Sequence, residues 1–395
     1  MRRLHFKVKS SVKTSNLLML GTISILFNVV TVGFFDLIDI FILLMFIITI
    51  CKGYKFKRFT FYYITFLTTY LLLSSMLGTV HFGTFKVENL AFLYKWILPG
   101  ITIYLLQTHF ETHSALRDLK FTIKLLTIGL SSWCIAYLPL LRSGFIVGNI
   151  RASFPFTDDF AVSDAHVLSS LLVVLFIYSF DDKRSLGNLV LLLLNFIAIM
   201  FTGSRTGALL VILFLSVRLI GLIYATVRSL KVSKNLLLFS LTVALLLIAS
   251  APLITNYFAS NDMASSLINR AVAINFSDES SSSRLNKLSI AWNQINEFNI
   301  LTGAGLVAAR LTWYDNTLGI ALAHGGLLLS GGLLVVFLSI VFWYYKNQRF
   351  VLFVSLVLVS QLITEHFLLS RYIIPTICCG WLIIQDIKLF SNKTL

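Results

Sequence analysis

Charge is what this sequence has least of. Only 12% of its 395 residues are Asp, Glu, Lys or Arg, where soluble domains carry about 25%. With 57% hydrophobic residues and a mean hydropathy of +0.86, the composition excludes an ordinary water-soluble fold. Acids are scarcer than bases, 17 against 32. That excess does not point to nucleic acid, because the basic residues lie in short clusters between apolar runs and form no basic domain. Cysteine is scarce too. Cys51, Cys134, Cys378 and Cys379 all fall in or beside apolar runs. None has the C-x-x-C or Cys/His spacing of a metal site, and no outward pair suggests a disulfide, so they read as packing residues. No Walker A, H-E-x-x-H or G-x-S-x-G motif occurs. The basic start MRRLHFKVKSSVK runs into an apolar stretch without a small-residue cleavage site, so no signal peptide is expected.

What the sequence has instead is apolar runs that approach the ~20 residues needed to cross a bilayer. The expected fold is an all-α polytopic membrane protein, one integral membrane domain over 1–395. Spans are expected near 17–34, 37–51, 59–78, 91–106, 121–141, 166–180, 187–201, 207–224, 235–252, 316–343, 350–364 and 372–388, about twelve transmembrane helices. Most Lys and Arg, including the groups around Lys52–Arg58, Arg117–Lys124 and Arg218–Lys234, then fall on one side. The positive-inside rule makes that side, and both termini, cytoplasmic. The long polar segments 142–165 and 253–315 face outward, where no ATP is expected. An enzyme working there must use a substrate that is already activated.

The segment 253–315 is the longest stretch that cannot sit in lipid, and it is the expected catalytic segment. Ser residues precede RLNKLSIAWNQINEF, a plausible N-cap. Leu285, Leu288, Trp292 and Ile295 form one apolar stripe. An amphipathic helix 284–298 can therefore lie in the interface plane. Arg284 and the helix dipole would both favour an anion at its start; an ordinary surface helix with an incidental Arg is the other reading. Arg205, in FTGSRTG, lies in a tight outward turn. It is either a functional cation or an Arg that snorkels to headgroups, and Gly203 and Gly207 favour the first by letting a ligand approach backbone. Gly303 and Gly305 of LTGAGLVAAR make a flexible loop before Arg310; a lone G-x-G after no predicted strand is no dinucleotide site. Asp315-Asn316 sits at the mouth of the next span. Asp315 suits a general base on a sugar hydroxyl, and equally an ion-pair partner or a helix cap. Arg371, beside Glu365 and His366 at the last outward turn, can join the same pocket. Lys95 is expected to snorkel, His324 to be a satisfied core histidine, and Gly325, Gly326, Gly331 and Gly332 to serve a kink or close helix packing.

Taken in order, these motifs resemble the O-antigen polymerase and O-antigen ligase superfamily, glycosyltransferases that act on lipid-linked oligosaccharides of bacterial envelopes. The matching features are GSRTG at the start of a span, SSR before a helix bearing Trp292, then TGAG, Arg310, and Asp315-Asn316 before a Gly-rich span. The specific residues lie in 201–332, while span count and loop position extend the likeness over most of the chain. The resemblance implies a multi-pass protein of the bacterial inner membrane, an undecaprenyl-pyrophosphate-linked glycan as substrate, and a flippase and chain-length regulator as pathway partners. It implies neither cofactor nor metal. It assigns the Arg residues matching Arg205 and Arg284 to the pyrophosphate. Arg310, Arg371, Asn316, Gly303 and Gly305 are expected beside them as substrate-binding residues, with Asp315 as base. Ligases usually carry His before Asn where this chain has Asp315-Asn316, which favours polymerase. The family's Asn-Pro before the Gly pair reads Asn299-Ile300 here, which loosens the alignment. A ligase transferring polymer to the lipid A core, a transporter with Gly-rich gates and a non-enzymatic scaffold are the alternatives.

Overall fold

The structure is a computed structural model. It describes residues 14–27, 31–32, 35–82, 85, 89–144, 152–154, 162–180, 186–229, 244, 286, 289–290, 292–293, 296, 299–310, 317–344, 347–363 and 370–391. In chain order the helices are α1 (Thr14–Ile23), α2 (Leu37–Cys51), α3 (Arg58–Phe82), α4 (Asn89–His109), α5 (His113–Arg142), α6 (Val162–Phe180), α7 (Leu186–Phe201), α8 (Arg205–Ser229), α9 (Thr317–Trp343), α10 (Gln348–Ile363) and α11 (Ser370–Ser391). A two-residue antiparallel ribbon, β1 (Thr31–Val32) with β2 (Phe35–Asp36), leads into α2.

Among the described residues, five helices are long and apolar enough to cross a membrane, within α3, α4, α5, α8 and α9. α2, α6, α7 and α10 contain shorter apolar helices. Apart from that short ribbon the described residues are almost all helical, as a helical membrane protein requires. The span expected over 17–34 is not one helix. It stops at Ile23 and tightens into a 3-10 turn at Ser24–Phe27, so α1 covers only ~15 Å at 1.5 Å per residue. Thr22 and Ser24 turn their hydroxyls back onto Leu18 O and Gly21 O, the local bonding that competes with helix continuation. Apart from residue 244, the span expected over 235–252 lies outside the described residues, as does most of the helix expected over 284–298. Residues 286, 289, 290, 292, 293 and 296 are helical, with Trp292 exposed.

The core is built around α6, buried on every face from Val167 to Tyr178, as expected of a helix that is apolar all round. It packs against α7, α8 and α11, and α5 packs against α7. A second cluster holds Leu67, Leu71, Leu93, Trp96, Leu306, Ala321 and Leu329. There the segment 299–310 wedges between α3 and α9. α9 breaks at Gly326, with φ 58° and ψ −155°, a conformation that glycine adopts readily. The backbone groups this break releases are taken up by the wedge. Leu327 N donates to Ile300 O at 2.9 Å, Leu328 N to Leu301 O at 3.1 Å, and Ala304 N to Ala323 O at 2.9 Å. From α3, Tyr70 donates to Gly325 O at 2.6 Å and Ser74 to His324 O at 3.2 Å. Irregular backbone inside a membrane protein is tolerated where protein supplies such partners. The kink expected of this glycine-rich span is therefore present at Gly326.

Candidate functional site

The segment expected to be a flexible loop is packed backbone to backbone. A Cβ on Gly303 would meet Gly326 N and Ala323 O, and one on Gly305 would strike the Ser74–Ser75 backbone. Gly78 of α3 faces Ala304 O in the same way. The space at Gly303 and Gly305 is thus filled by α3 and α9, and both glycines have positive φ. The wedge continues into the 3-10 turn Gly305–Arg310. His324 is buried as expected, with Nδ1 accepting from Trp96 Nε1 at 2.9 Å.

Arg205 opens α8 and is half-buried. Gly203, at φ 59°, closes the turn before it. Ser204 caps the helix by accepting from Gly207 N at 3.4 Å, and it lies 3.2 Å from His166 Nδ1 of α6. Gly207 has no Cβ because Ser169 and Ile199 occupy that space. The two glycines of GSRTG are therefore explained by a left-handed turn and by close helix packing, rather than by the approach of a ligand to backbone.

Arg371 opens α11, in a setting that the order of motifs does not reveal. Its Nε lies 3.5 Å from Asp36 Oδ2, and its guanidinium stands 5.1 Å over the Phe154 ring. Asp36 caps α2 and donates its backbone N–H to Asp39 Oδ2 at 2.9 Å. Asp39 Oδ2 also receives Lys95 Nζ of α4 at 2.5 Å, and Lys95 Nζ lies 4.0 Å from Asp36 Oδ2. Lys95 does not snorkel: its side chain is 7% exposed and Asp39's is 0% exposed. A cation buried so deeply needs a counter-charge, and Asp39 sits one helix away to supply it. In the sequence the two acids lie in FFDLID, a short interruption between apolar runs. The signal that could have found them is Lys95 itself, because a lysine inside a span calls for an acid.

One end of the bundle gathers these groups. Ala152 N donates to Phe201 O at 3.4 Å, four residues before Arg205, and Trp133 Nε1 holds Ser153 O at 2.8 Å. Two residues on from Ala152, Phe154 lies under Arg371. Three residues reach at most ~11 Å, so this strip ties the Arg205 turn to the Arg371 corner. Ser360 and Tyr372 bond at 2.8 Å, and Thr317 bonds Gln361 at 3.1 Å, which brings the start of α9 to the same end. The N-termini of α2, α4, α6, α8, α9 and α11 thus converge, and helix N-termini favour anions.

Arg284, Asp315, Asn316, Glu365 and His366 lie outside the described residues, as does the side chain of Arg310. Among the described residues, no three His, Cys, Asp or Glu side chains gather as a metal site would require. Comparison with known protein families and with curated proteins finds no match.

Proposed function

We propose that the chain is a membrane glycosyltransferase that polymerises oligosaccharide repeat units carried on undecaprenyl pyrophosphate. The observation that carries the reading is the shared end of the bundle. Two arginines that start helices, Arg205 and Arg371, are tied together there by Ala152–Phe154, amid converging helix N-termini. In the proposed orientation this end faces outward, and both termini are cytoplasmic.

The donor needs no nucleotide, because its sugar–phosphate bond already stores the activation. The acceptor hydroxyl, on the terminal sugar of a second lipid-linked unit, attacks the donor's anomeric carbon. The bond from that carbon to the phosphate oxygen breaks, and undecaprenyl pyrophosphate leaves with the electron pair. Arg205 and Arg284, with Arg310 and Arg371, offset the charge that grows on the diphosphate through bidentate contacts. Asp315 takes the hydroxyl proton, and Asn316 orients the acceptor. Gly303 and Gly305 serve by fixing the path of the chain toward Arg310. Removing one guanidinium should cost on the order of 2.7–4 kcal/mol of barrier, by analogy with an oxyanion-hole donor. In cells, Arg205→Lys and Arg284→Ala should each abolish polymer and leave single-repeat glycolipid; a normal polymer ladder in both variants would reject these roles. A ligase would instead leave full-length undecaprenyl-linked polymer on deletion.

A transporter is the second reading. It is favoured by the buried Lys95–Asp39 pair, since charges inside a bundle often line translocation paths. Purified protein that moves glycolipid across a vesicle bilayer but forms no glycosidic bond would select it.

A further inference from the structure

The guanidinium of Arg371 is constrained on two sides, and its third edge lacks a hydrogen-bond partner among the described residues. Asp36 Oδ2 takes the Nε edge at 3.5 Å. The Phe154 ring lies against the face, 5.1 Å from the guanidinium carbon. Nη1, on the edge away from Nε–H, is buried and has no hydrogen-bond partner among the described residues. A buried, charged N–H donor without an acceptor is costly, and a fork held in one plane suits an oxyanion.

Asp36 is itself held. Its backbone N–H is anchored by Asp39, and Lys95 anchors Asp39 from α4. The chain of contacts Lys95–Asp39–Asp36–Arg371 therefore joins the N-termini of α4, α2 and α11. Two carboxylates balance two cations, so the arrangement adds no net charge to attract an anion. Its effect is to fix direction.

We propose that Asp36 and Phe154 are positioning residues that present the Nη edge of Arg371 to a diphosphate oxygen. This deepens the function proposed above and rests on it for the identity of the ligand. Charge alone makes the opposite prediction. Removing the Asp36 carboxylate beside a cation would strengthen anion binding, whereas losing a positioning residue weakens it.

The test is titration of full-length protein in lipid nanodiscs with inorganic pyrophosphate, independent of turnover. Arg371→Gln should weaken binding most. Asp36→Asn should weaken it about tenfold, equivalent to about 1.4 kcal/mol, and Asp36→Glu should recover part of the loss. Phe154→Leu, which spares the ion pairs, should weaken binding about threefold, the low end of a cation–π contact. The double variant Asp36→Asn/Arg371→Gln should bind no worse than Arg371→Gln alone, because Asp36 acts through Arg371. Unchanged or tighter binding in Asp36→Asn, or additive losses in the double variant, would overturn the proposal, as would wild-type protein that does not bind pyrophosphate. Should Asp36→Asn fail to fold, Phe154→Leu decides: binding equal to wild type overturns the positioning role. Pyrophosphate binding through Arg371 without polymer formation would leave this inference standing and remove the polymerase reading.

Discussion

The two ends of the bundle handle charge in opposite ways. At the end that holds Arg205 and Arg371, the ion pairs are buried: Asp36, Asp39, Lys95 and Arg371 expose 0–11% of their side chains. At the other end, Lys57 and Glu111 pair at 3.7 Å with more than half of each side chain in solvent. Lys120 and Arg349 share Asp386 there at 2.7 and 3.9 Å, partly exposed. Exposed pairs contribute little to stability. Buried pairs lose hydration that their attraction barely offsets. Neither kind adds much stability, so the buried set is the one that calls for a role beyond fastening, and it lies at the end where chemistry is proposed.

That contrast can be tested from the largest effect downward. Arg205→Lys keeps the charge and loses the fork, and turnover of lipid-linked repeats by purified protein should fall about 100-fold or more. Lys95→Met strands Asp39 in the core. It should destabilise the protein by roughly 3–5 kcal/mol in a denaturant titration, and Lys95→Met/Asp39→Asn should recover much of the loss. Gly305→Ala forces a Cβ into the α3 backbone at positive φ and should cost about 1–3 kcal/mol in the same titration. Trp96→Phe removes one buried bond to His324 and should cost about 0.5–1.5 kcal/mol, if the ring packs unchanged. Lys57→Ala, at the opposite end, should move stability by no more than about 1 kcal/mol. Equal losses for Lys95→Met and Lys57→Ala would erase the distinction between the ends.

The helices were legible because each is written locally. The expected spans 91–106, 187–201 and 372–388 fall within α4, α7 and α11, since an apolar run needs no distant partner to declare itself. The burial of His324 was legible from its depth below a span's mouth. Asp36 and Asp39 were not, because their meaning depends on Lys95, more than fifty residues away, and on Arg371 at the far end of the chain. Gly303 and Gly305 were misread for a related reason. Glycine signals flexibility locally, but here its missing Cβ admits the backbones of α3 and α9, which only the fold brings near. The early stop of α1 is intermediate: Thr22 and Ser24 were visible, yet the apolar run continued past them.

The central claim is that arginines at one end of the bundle stabilise a departing diphosphate. The most direct test supplies purified protein with a defined undecaprenyl-pyrophosphate repeat unit and no nucleotide. The account predicts a ladder of longer glycans, one undecaprenyl pyrophosphate released per bond formed, and loss of both in Arg205→Lys. No product from the wild type, or undiminished product from Arg205→Lys, would contradict it.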